Sequence, residues 1–202
     1  FKATTNSKHD FPVAENLLRR EFSVAEPNRV WVTDMTYLWT REGWLYLVVF
    51  IDLYSRMVAG WALGTRMTAG LAVLALQRAV ARREPQAGLI VHSDRGVQYA
   101  SDAFREELEE HGFNQSMSRK GDCWDNAVAE SFFHSLKVEA IYGEDLQTRR
   151  EMETEVFQYI EGFYNKMRRH STLGNISPVE YESRYAATAY RCSRTGVPGS
   201  FE

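Results

Sequence analysis

The sequence predicts an α/β fold in which helices flank a mixed five-stranded sheet. Three observations support this prediction. The first is a set of three strand-like segments joined by short links, which is typical of consecutive antiparallel strands. The second is a later change to alternating helices and short apolar strands, which is typical of crossover connections. The third is a series of helical patterns towards the end of the chain, which predicts a C-terminal helical extension.

The first two predicted strands form a hairpin. Residues 29–39 alternate between apolar and polar side chains, and the apolar run 44–51 has the length of a buried strand. The link between them, 40–43, contains a Gly, which favours a turn. The remaining predicted strands cover residues 56–63, 88–94 and 113–117.

The predicted helices are indicated by their periodicity and by their ends. Dense Ala and Leu before Pro85 are typical of a helix that stops at a proline. Asp125 is a residue type that caps helix N-termini, and residues 177–180, "SPVE", resemble a capping box with Pro at the first helical position. Helices are therefore predicted over 67–84, 101–112, 125–137 and 147–169, with a last short helix beginning at 177–180.

Length and composition fit one globular domain with extensions. The 202 residues are 44% hydrophobic and 13% aromatic, which is enough for a substantial core. We expect an N-terminal connecting segment at 1–26, a core at 27–145, further helices of the same domain at 146–188 and a flexible tail at 189–202. The chain opens on Phe1 rather than Met, which predicts that it is part of a longer protein.

Several classes of protein are disfavoured. No window approaches the roughly 18 uninterrupted apolar residues of a membrane span, and the N-terminus has no apolar signal segment. Cys123 and Cys192 offer neither a disulfide framework nor metal-ligand spacing, so a reducing cytoplasm is the expected setting. The net charge of −3 disfavours a protein that binds a polyanion over its whole surface, so any nucleic-acid contact should be local.

Three acidic residues are candidates for a shared site. Asp34 lies inside the first predicted strand, where Asp is disfavoured, Asp94 ends a later strand, and Glu130 lies on a helix. Each has an ordinary alternative: Asp34 as a solvated residue of a strand end or bulge, Asp94 as an Asx-turn residue, and Glu130 as an exposed helix residue. Taken together, these acids can converge at one end of a mixed sheet.

Such a convergence suits divalent cations. Mg²⁺ takes oxygen ligands, keeps several waters and needs only one or two carboxylates per ion, so three carboxylates can hold two ions. Paired ions can stabilise both the attacking and the leaving oxygen of a phosphoryl displacement. The sequence has no Walker loop, Gly-rich dinucleotide turn, G-x-S-x-G elbow or H-E-x-x-H zinc motif. Metal-assisted phosphodiester chemistry is therefore the favoured class.

The spacing of these acids resembles a known pattern. Residues 95–129, 35 positions, separate Asp94 from Glu130, and Lys137 follows Glu130 by seven. This resembles the D, D, 35, E, seven, K/R pattern of retroviral-integrase-like transposases. Four stretches in order further resemble the second-reading-frame product of bacterial transposases of the insertion-sequence-three family, from about residue 27 to about residue 185. They are "WVTDMTYL", "HSDRGVQYAS", "MSRKGDCWDNAVAESFFHSLKVE" and "YNKMRRHSTLGNISPVEY".

The resemblance implies a ribonuclease-H-like fold and a DDE-type polynucleotidyl transferase. Asp34, Asp94 and Glu130 match the family's catalytic metal ligands, which implies a cofactor of two Mg²⁺ ions that Mn²⁺ can replace. Such an enzyme cuts donor DNA and joins its 3′ ends to new phosphodiesters without a covalent enzyme intermediate. The implied partners are the terminal inverted repeats of a mobile element, target DNA and a second copy of the chain in the synaptic complex. The resemblance also implies a bacterial cytoplasmic, nucleoid-associated protein with a helix-turn-helix region upstream.

Residues around the implied centre are candidates for DNA contacts or for support. Lys137 and His134 share the helix side of Glu130, with a solvated Lys and a packed His as the alternatives. Trp124 and Asn126 lie at the helix entrance, where Trp124 can stack on a splayed base or act as an aromatic staple. His92 precedes Asp94 and can hydrogen-bond that carboxylate as a second-shell group, or be a satisfied core His.

A basic cluster near the C-terminus supplies further candidates. Its residues can contact phosphates, although basic residues at a helix C-terminus are also favoured by the helix dipole. The cluster consists of Lys166, Arg168, Arg169 and His170.

Two rival functions stay open at the level of sequence. One is a ribonuclease-H-like nuclease that hydrolyses nucleic acid without joining strands. The other is a catalytically silent DNA-binding or dimerisation module. The presence of all three acids disfavours the silent module, whereas the nuclease differs from the transposase only in that it does not join strands.

Overall fold

A computed structural model of the chain describes residues 11–18, 23–118, 127–142 and 147–195. Residues 11–18 and 23–29 contain no helix or strand, and the buried Leu18 packs against the core. No helix in this described part of the chain is long and apolar enough to cross a membrane.

The described residues form a mixed five-stranded sheet in the order β3-β2-β1-β4-β5. Strands β1, β2 and β3 are antiparallel neighbours, and β4 and β5 are added parallel to β1. The predicted hairpin, third strand and two later strands are all present. The strands are β1 (Val30–Thr40), β2 (Gly43–Asp52), β3 (Val58–Gly64), β4 (Ile90–Ser93) and β5 (Asn114–Met117).

Helices cover both faces of this sheet. They are α1 (Ala69–Arg83), α2 (Val97–Ala100), α3 (Asp102–Glu110), α4 (Ala127–Leu136), α5 (Arg149–Phe157) and α6 (Pro178–Thr195). A π-helical turn at Lys137–Ile141 continues α4, another at Gln158–Tyr164 continues α5, and Ser171–Leu173 forms a 3₁₀ turn. The predicted starts of α1 and α5 are explained by side-chain caps: Thr68 accepts from Leu71, and Thr148 forms a full capping box with Glu151.

Side chains along β1 point alternately to the two faces of the sheet, and each face packs against its own layer of the hydrophobic core. Val30, Val32 and Leu38 pack with α4 and α5 on one face. Trp31 and Met35 pack with α1 and α3 on the other. Asp34 is an even-numbered residue of β1, like Val30 and Val32, so its side chain lies on the face of the sheet that α4 covers.

Close packing of α1 on the sheet depends on Gly60. A Cβ at this position would lie 2.5 Å from the backbone nitrogen of Ala79, so only glycine allows this approach.

Some predicted element ends were wrong. The helix expected over 147–169 ends at Tyr164, and its second half is π-helical. The last helix, expected to be short, continues to Thr195, because no Gly or Pro interrupts the chain between Pro178 and Gly196. The domain bounds and the flexible tail expected at 189–202 stay predictions. The predicted start of α4 at Asp125 lies outside the described residues.

Candidate active site

Asp34 and Asp94 lie at the same level on neighbouring strands. The parallel register of β1 and β4 pairs Val30 with Ile90 and Val32 with His92. Asp34 lies two residues beyond Val32 on β1, and Asp94 lies two residues beyond His92, directly after the end of β4. The two aspartates are therefore at the same height along the neighbouring strands. Because adjacent strands are about 4.8 Å apart, the two acids are neighbours across the sheet.

The electrostatic environment of Asp34 links it to both other predicted acids. Its pKa is raised from 3.8 to about 8, first by burial and then by the charge of Asp94, with a smaller contribution from Glu130. The backbone N–H of Met35, which donates to Oδ1 at 2.7 Å, and the charge of Lys137 act in the opposite direction. The repulsion between these carboxylates is therefore only partly compensated by the protein.

Asp94 forms the turn that its ordinary alternative predicts. Its Oδ1 accepts a hydrogen bond from the N–H of Gly96 at 2.8 Å. Such an Asx turn fixes the side chain at the end of β4 and leads the chain into α2. The turn is compatible with a metal ligand, because a carboxylate has several lone pairs and this bond uses one.

Tyr99 is a buried neighbour of the two aspartates that the sequence reasoning missed. Burial raises its pKa, and the charges of Asp34 and Asp94 raise it further. Its hydroxyl shares a hydrogen bond with Thr33 Oγ1 at 3.3 Å, which ties α2 to β1. The signal in the sequence is its place in "HSDRGVQYAS", five residues after Asp94.

Glu130 occupies the first turn of α4 and its side chain is exposed. Phe132 and Leu136, on the buried side of this helix, fix α4 against the sheet. Within the ranges that the structure describes, no three His, Cys, Asp or Glu side chains form a ready-made metal site. The structure nevertheless places Asp94 and Glu130 near enough to Asp34 for the charges of both to raise its pKa.

Lys137 is turned towards the sheet. Its Nζ donates to Thr36 Oγ1 at 2.9 Å and lies 5.2 Å from the centroid of the Tyr37 ring. Burial lowers its pKa, and the Asp34 carboxylate opposes that shift. Lys137 therefore acts as an internal counter-charge beside Asp34, and its predicted DNA contact stays a prediction.

The other predicted residues have different surroundings. His92 is fully buried, and its Nδ1 shares a hydrogen bond with Ser116 Oγ on β5 at 2.8 Å, so its support of Asp94 stays a prediction. His134 is exposed on α4. Trp124 and Asn126 lie outside the described residues.

The C-terminal basic cluster is divided by the fold. Lys166 and Arg169 are exposed. Arg168 binds Glu139 through Nη2 at 2.7 Å, and His170 is half-buried. The cluster is therefore not one continuous basic surface.

The acids fit a hard divalent cation on chemical grounds. Carboxylate oxygens are the ligands that such ions prefer, and Asp34, whose pKa is raised by burial and then by the charge of Asp94, lies beside a second carboxylate. A bound cation would supply positive charge there.

Comparison with known families identifies the fold and its relatives. An Integrase core domain family model matches residues 24–123, and a second model of the same description matches residues 130–185, so together they cover more than half of the chain. The chain belongs to the integrase core domain family. This places the Asp34–Asp94 pair in the first matched segment and Glu130 at the start of the second.

Relatives in this integrase core family include bacterial insertion-sequence proteins. The transposase InsF for insertion sequence IS3A of Escherichia coli (strain K12) is 51% identical over 187 residues, which is 93% of this chain and 65% of the relative. An uncharacterized 31 kDa protein of insertion element IS600 from Shigella sonnei is 49% identical over 185 residues, covering 92% of this chain and 68% of the relative. The predicted membership of the insertion-sequence-three family is confirmed, and the chain spans about two thirds of these relatives.

Solved structures of integrase cores share the fold. The HTLV-2 integrase catalytic core domain, in complex with magnesium, gives a TM-score of 0.58 at 15% identity and covers 79% of this chain and 99% of that one. The catalytic core domain of BIV integrase gives 0.58 at 18% identity, covering 81% and 99%. The prediction of a ribonuclease-H-like fold is confirmed.

Proposed function

We propose that this chain is the catalytic domain of a DNA transposase that cleaves donor DNA and transfers its 3′ ends to target DNA. The observation that carries the proposal is that Asp34 and Asp94 lie at the same height on adjacent parallel strands. The charges of Asp94 and Glu130 both raise the pKa of Asp34. The relationship to InsF transposases at 51% identity supports the reaction class.

In this proposal, Asp34, Asp94 and Glu130 hold two Mg²⁺ ions, which Mn²⁺ can replace. The ions would lower the pKa of the attacking hydroxyl and offset the charge that develops at phosphorus. The protein's own contribution is positional. The β1–β4 pairing and the Asx turn at Asp94 fix two ligands, and α4 carries the third.

Lys137 and Tyr99 organise the centre in this account. The bond from Lys137 to Thr36 fixes the end of α4 against β1, which sets the position of Glu130 two turns earlier. Tyr99 excludes water beneath the two aspartates because it is fully buried next to them. A drier site strengthens the interaction of the carboxylates with a cation.

The DNA substrate would be the terminal inverted repeats of a mobile element together with target DNA. Lys137, His134, Trp124, Asn126 and the exposed residues of the C-terminal basic cluster are the proposed contacts. Two element ends must be joined in one reaction, so we propose at least a dimer in the synaptic complex. We further propose a cytoplasmic, nucleoid-associated enzyme, which the bacterial origin of the relatives supports.

Strand transfer is tested with pre-cleaved element ends. Labelled ends and target DNA are incubated with the full-length protein and Mg²⁺, and joined products are resolved on a denaturing gel. We expect joining by the wild type and a loss of at least about a hundredfold in Asp94→Asn. The matched control is Asp102→Asn, which changes an exposed acid on α3 and should leave the rate unchanged.

Two results would contradict the proposal. Hydrolysis of the DNA without any joined product would favour the nuclease alternative. Full activity in Asp94→Asn would remove that residue from the metal centre.

A further inference from the structure

The hairpin formed by β1 and β2 carries four aromatic side chains on one face of the sheet. The antiparallel register places Tyr37 opposite Tyr46 and Trp39 opposite Trp44, and directly opposed residues share a face. The Trp44 ring meets the Tyr37 ring edge to face with centroids 4.9 Å apart, and it meets the Trp39 ring in the same way at 4.5 Å. These four side chains form the hairpin platform.

The two tryptophans of the hairpin platform are exposed. β3 pairs with β2 only as far as Tyr46 and Gly64, so Trp39 and Trp44 lie beyond the end of β3. Trp39 is 51% exposed and Trp44 is 38% exposed. Trp side chains are largely buried in most folded proteins, and exposed apolar groups that cluster on a surface mark binding sites.

The hairpin platform stands on a fixed support. At the hairpin tip, the N–H of Arg41 donates to the carbonyl of Gln147 at 2.8 Å. Glu42 Oε2 accepts the N–H of Arg149, the first residue of α5, at 2.6 Å. The rings are therefore carried by a hairpin that is anchored to α5, and a partner that stacks on them does not first have to order a loose loop.

The hairpin platform is continuous with the candidate active site across the open edge of β1. β4 pairs with β1 only as far as Val32, so no described strand covers that edge at Tyr37. Lys137 bridges the two regions, because its Nζ donates to Thr36 Oγ1 at 2.9 Å and lies 5.2 Å from the centroid of the Tyr37 ring. The charge of the same Lys137 acts on Asp34.

The distances along β1 suit a DNA strand whose reacting phosphodiester lies at Asp34. A rise of about 3.3 Å per strand residue puts Tyr37 about 10 Å and Trp39 about 17 Å from Asp34. About three to five stacked nucleotides, at about 3.4 Å each, cover the same span. A strand that leaves the reacting phosphodiester along this edge passes the positive charge of Lys137 and then reaches the exposed rings.

The exposed area favours DNA bases over a protein surface as the partner. Taking about 250 Å² for a whole Trp side chain, the two tryptophans together expose roughly 200 Å². A stable protein interface buries about 800 Å² on each partner, which is several times more. Bases need only the faces of the rings, and they stack there whatever their sequence because every base has a π face.

We propose that the hairpin platform stacks unpaired DNA bases that flank the reacting phosphodiester. Trp39 and Trp44 are the stacking residues, and Lys137 is the cation between them and the metal ligands. The inference rests on the proposed function, because it takes the reacting phosphodiester to lie at Asp34 and Asp94. The bases are unpaired ones because only bases splayed out of a helix offer a free face to a side chain.

Photo-crosslinking of the wild-type protein locates these bases without a variant. Full-length protein in EDTA is irradiated with a pre-cleaved element-end duplex that carries 5-iodouracil in a short unpaired extension, and crosslinked peptides are identified by mass spectrometry. Trypsin yields the peptides 30–41 and 42–56, which separate Trp39 from Trp44. We expect crosslinks at one or both tryptophans, the same crosslinks in Asp94→Asn, and none there when the 5-iodouracil is paired inside the duplex.

Binding by variants measures the contribution of stacking. In fluorescence anisotropy with the same extended DNA, Trp39→Ala should weaken binding about tenfold, the usual effect of losing one stacked base. Trp39→Phe should keep most of the affinity because it keeps a ring. The matched control is Tyr190→Ala, which removes a side chain that is 62% exposed on α6 and should bind as the wild type does.

Two results would overturn the inference outright. They are crosslinks found only outside residues 30–56, and equal binding of the extended DNA by Trp39→Ala and the wild type. A Trp39→Ala variant that loses a subunit in sedimentation but binds this DNA unchanged would also overturn it, since the hairpin platform would then be an interface with a second copy.

The joining assay separates this inference from the proposed function. Joining without crosslinks at Trp39 or Trp44 refutes only the inference. Crosslinks at these residues without joining support the hairpin platform and refute strand transfer.

Discussion

Replacing Asp34 with Asn should stabilise the metal-free protein. Asn keeps an oxygen that can accept the N–H of Met35, which the Asp34 Oδ1 now accepts at 2.7 Å. It removes the acid whose pKa burial and Asp94 raise to about 8. In the metal-free fold the wild-type residue must either hold a proton or tolerate an unfavourable charge, and Asn does neither.

The pH dependence follows from the two pKa values. Asp34 ionises near 3.8 in the unfolded chain but near 8 in the fold. As the pH rises from about 4 to about 8, the unfolded chain therefore loses this proton first, and the free energy of unfolding falls. Above about 8 both states are ionised and this contribution becomes constant.

The stabilisation by Asp34→Asn should be about 3 kcal/mol, from the pKa shift and from the charge repulsion alike. A pKa unit corresponds to about 1.4 kcal/mol, so the whole shift sets an upper limit of about 6 kcal/mol. Asp34 is partly exposed, so solvent screening should reduce this to about 3 kcal/mol. Separately, like charges about 5 Å apart on adjacent strands repel by about 3 kcal/mol at an effective dielectric constant of about 20.

The melting temperatures of the wild type and Asp34→Asn, measured by thermal denaturation in EDTA, test this prediction. In a chain of this size, about 3 kcal/mol corresponds to a Tm difference of about 6–12 °C. We expect Asp34→Asn to have the higher Tm at pH 8 and to show little advantage at pH 4. Excess Mg²⁺ should raise the Tm of the wild type but not of the variant. A variant less stable than the wild type at pH 8 in EDTA would refute the reasoning.

Three other predictions concern packing, a buried ion pair and a histidine. Gly60→Ala should lower the free energy of unfolding, measured by urea denaturation, by about 1–3 kcal/mol or more, because its Cβ would meet the α1 backbone. Gly162→Ala, which has open space around it, should be neutral or stabilising. Equal effects of the two variants would contradict this packing. Arg83→Met should lower the free energy of unfolding by about 3–5 kcal/mol, since Arg83 binds the Glu182 carboxylate at 2.7 Å. A loss below about 1 kcal/mol would contradict a stabilising role of this ion pair. The pKa of His170 is lowered from 6.5 in the unfolded chain to about 4 in the fold, so its contribution to stability is full above pH 6.5 and is lost as the pH falls towards 4. After solvent screening we expect this contribution to be about 1 kcal/mol and to be absent from the pH profile of His170→Gln. Identical pH profiles of the two proteins would argue against it.

The sheet could be predicted from the sequence because its signals are local. Alternation in β1, the apolar run of β2 and the Gly-containing link at 40–43 together indicate a hairpin, and the structure pairs the two strands from Trp31 with Asp52 to Thr40 with Gly43. The caps at Thr68 and Thr148 likewise depend on residues only three positions away. Local chemistry of this kind can be identified without knowing the rest of the fold.

Other features depend on contacts between distant residues. Asp52 is fully buried, where it accepts the N–H of Asn28 at 2.7 Å and lies 3.6 Å from Arg83, yet nothing near it in the sequence distinguishes it from a surface acid. The inward turn of Lys137 is similar, since its partner Thr36 is 101 residues away. The π-helical second half of the helix predicted over 147–169 keeps nearly the same apolar spacing as an α-helix, so periodicity does not distinguish them.

The most direct test of the metal centre is anomalous diffraction from crystals of the protein soaked in Mn²⁺. We expect anomalous peaks beside the carboxylates of Asp34 and Asp94, with Glu130 reaching the same ions, and we expect these peaks to be lost in Asp94→Asn crystals. Strong peaks elsewhere with none at these aspartates, at a Mn²⁺ concentration that supports DNA joining, would contradict the proposed metal centre.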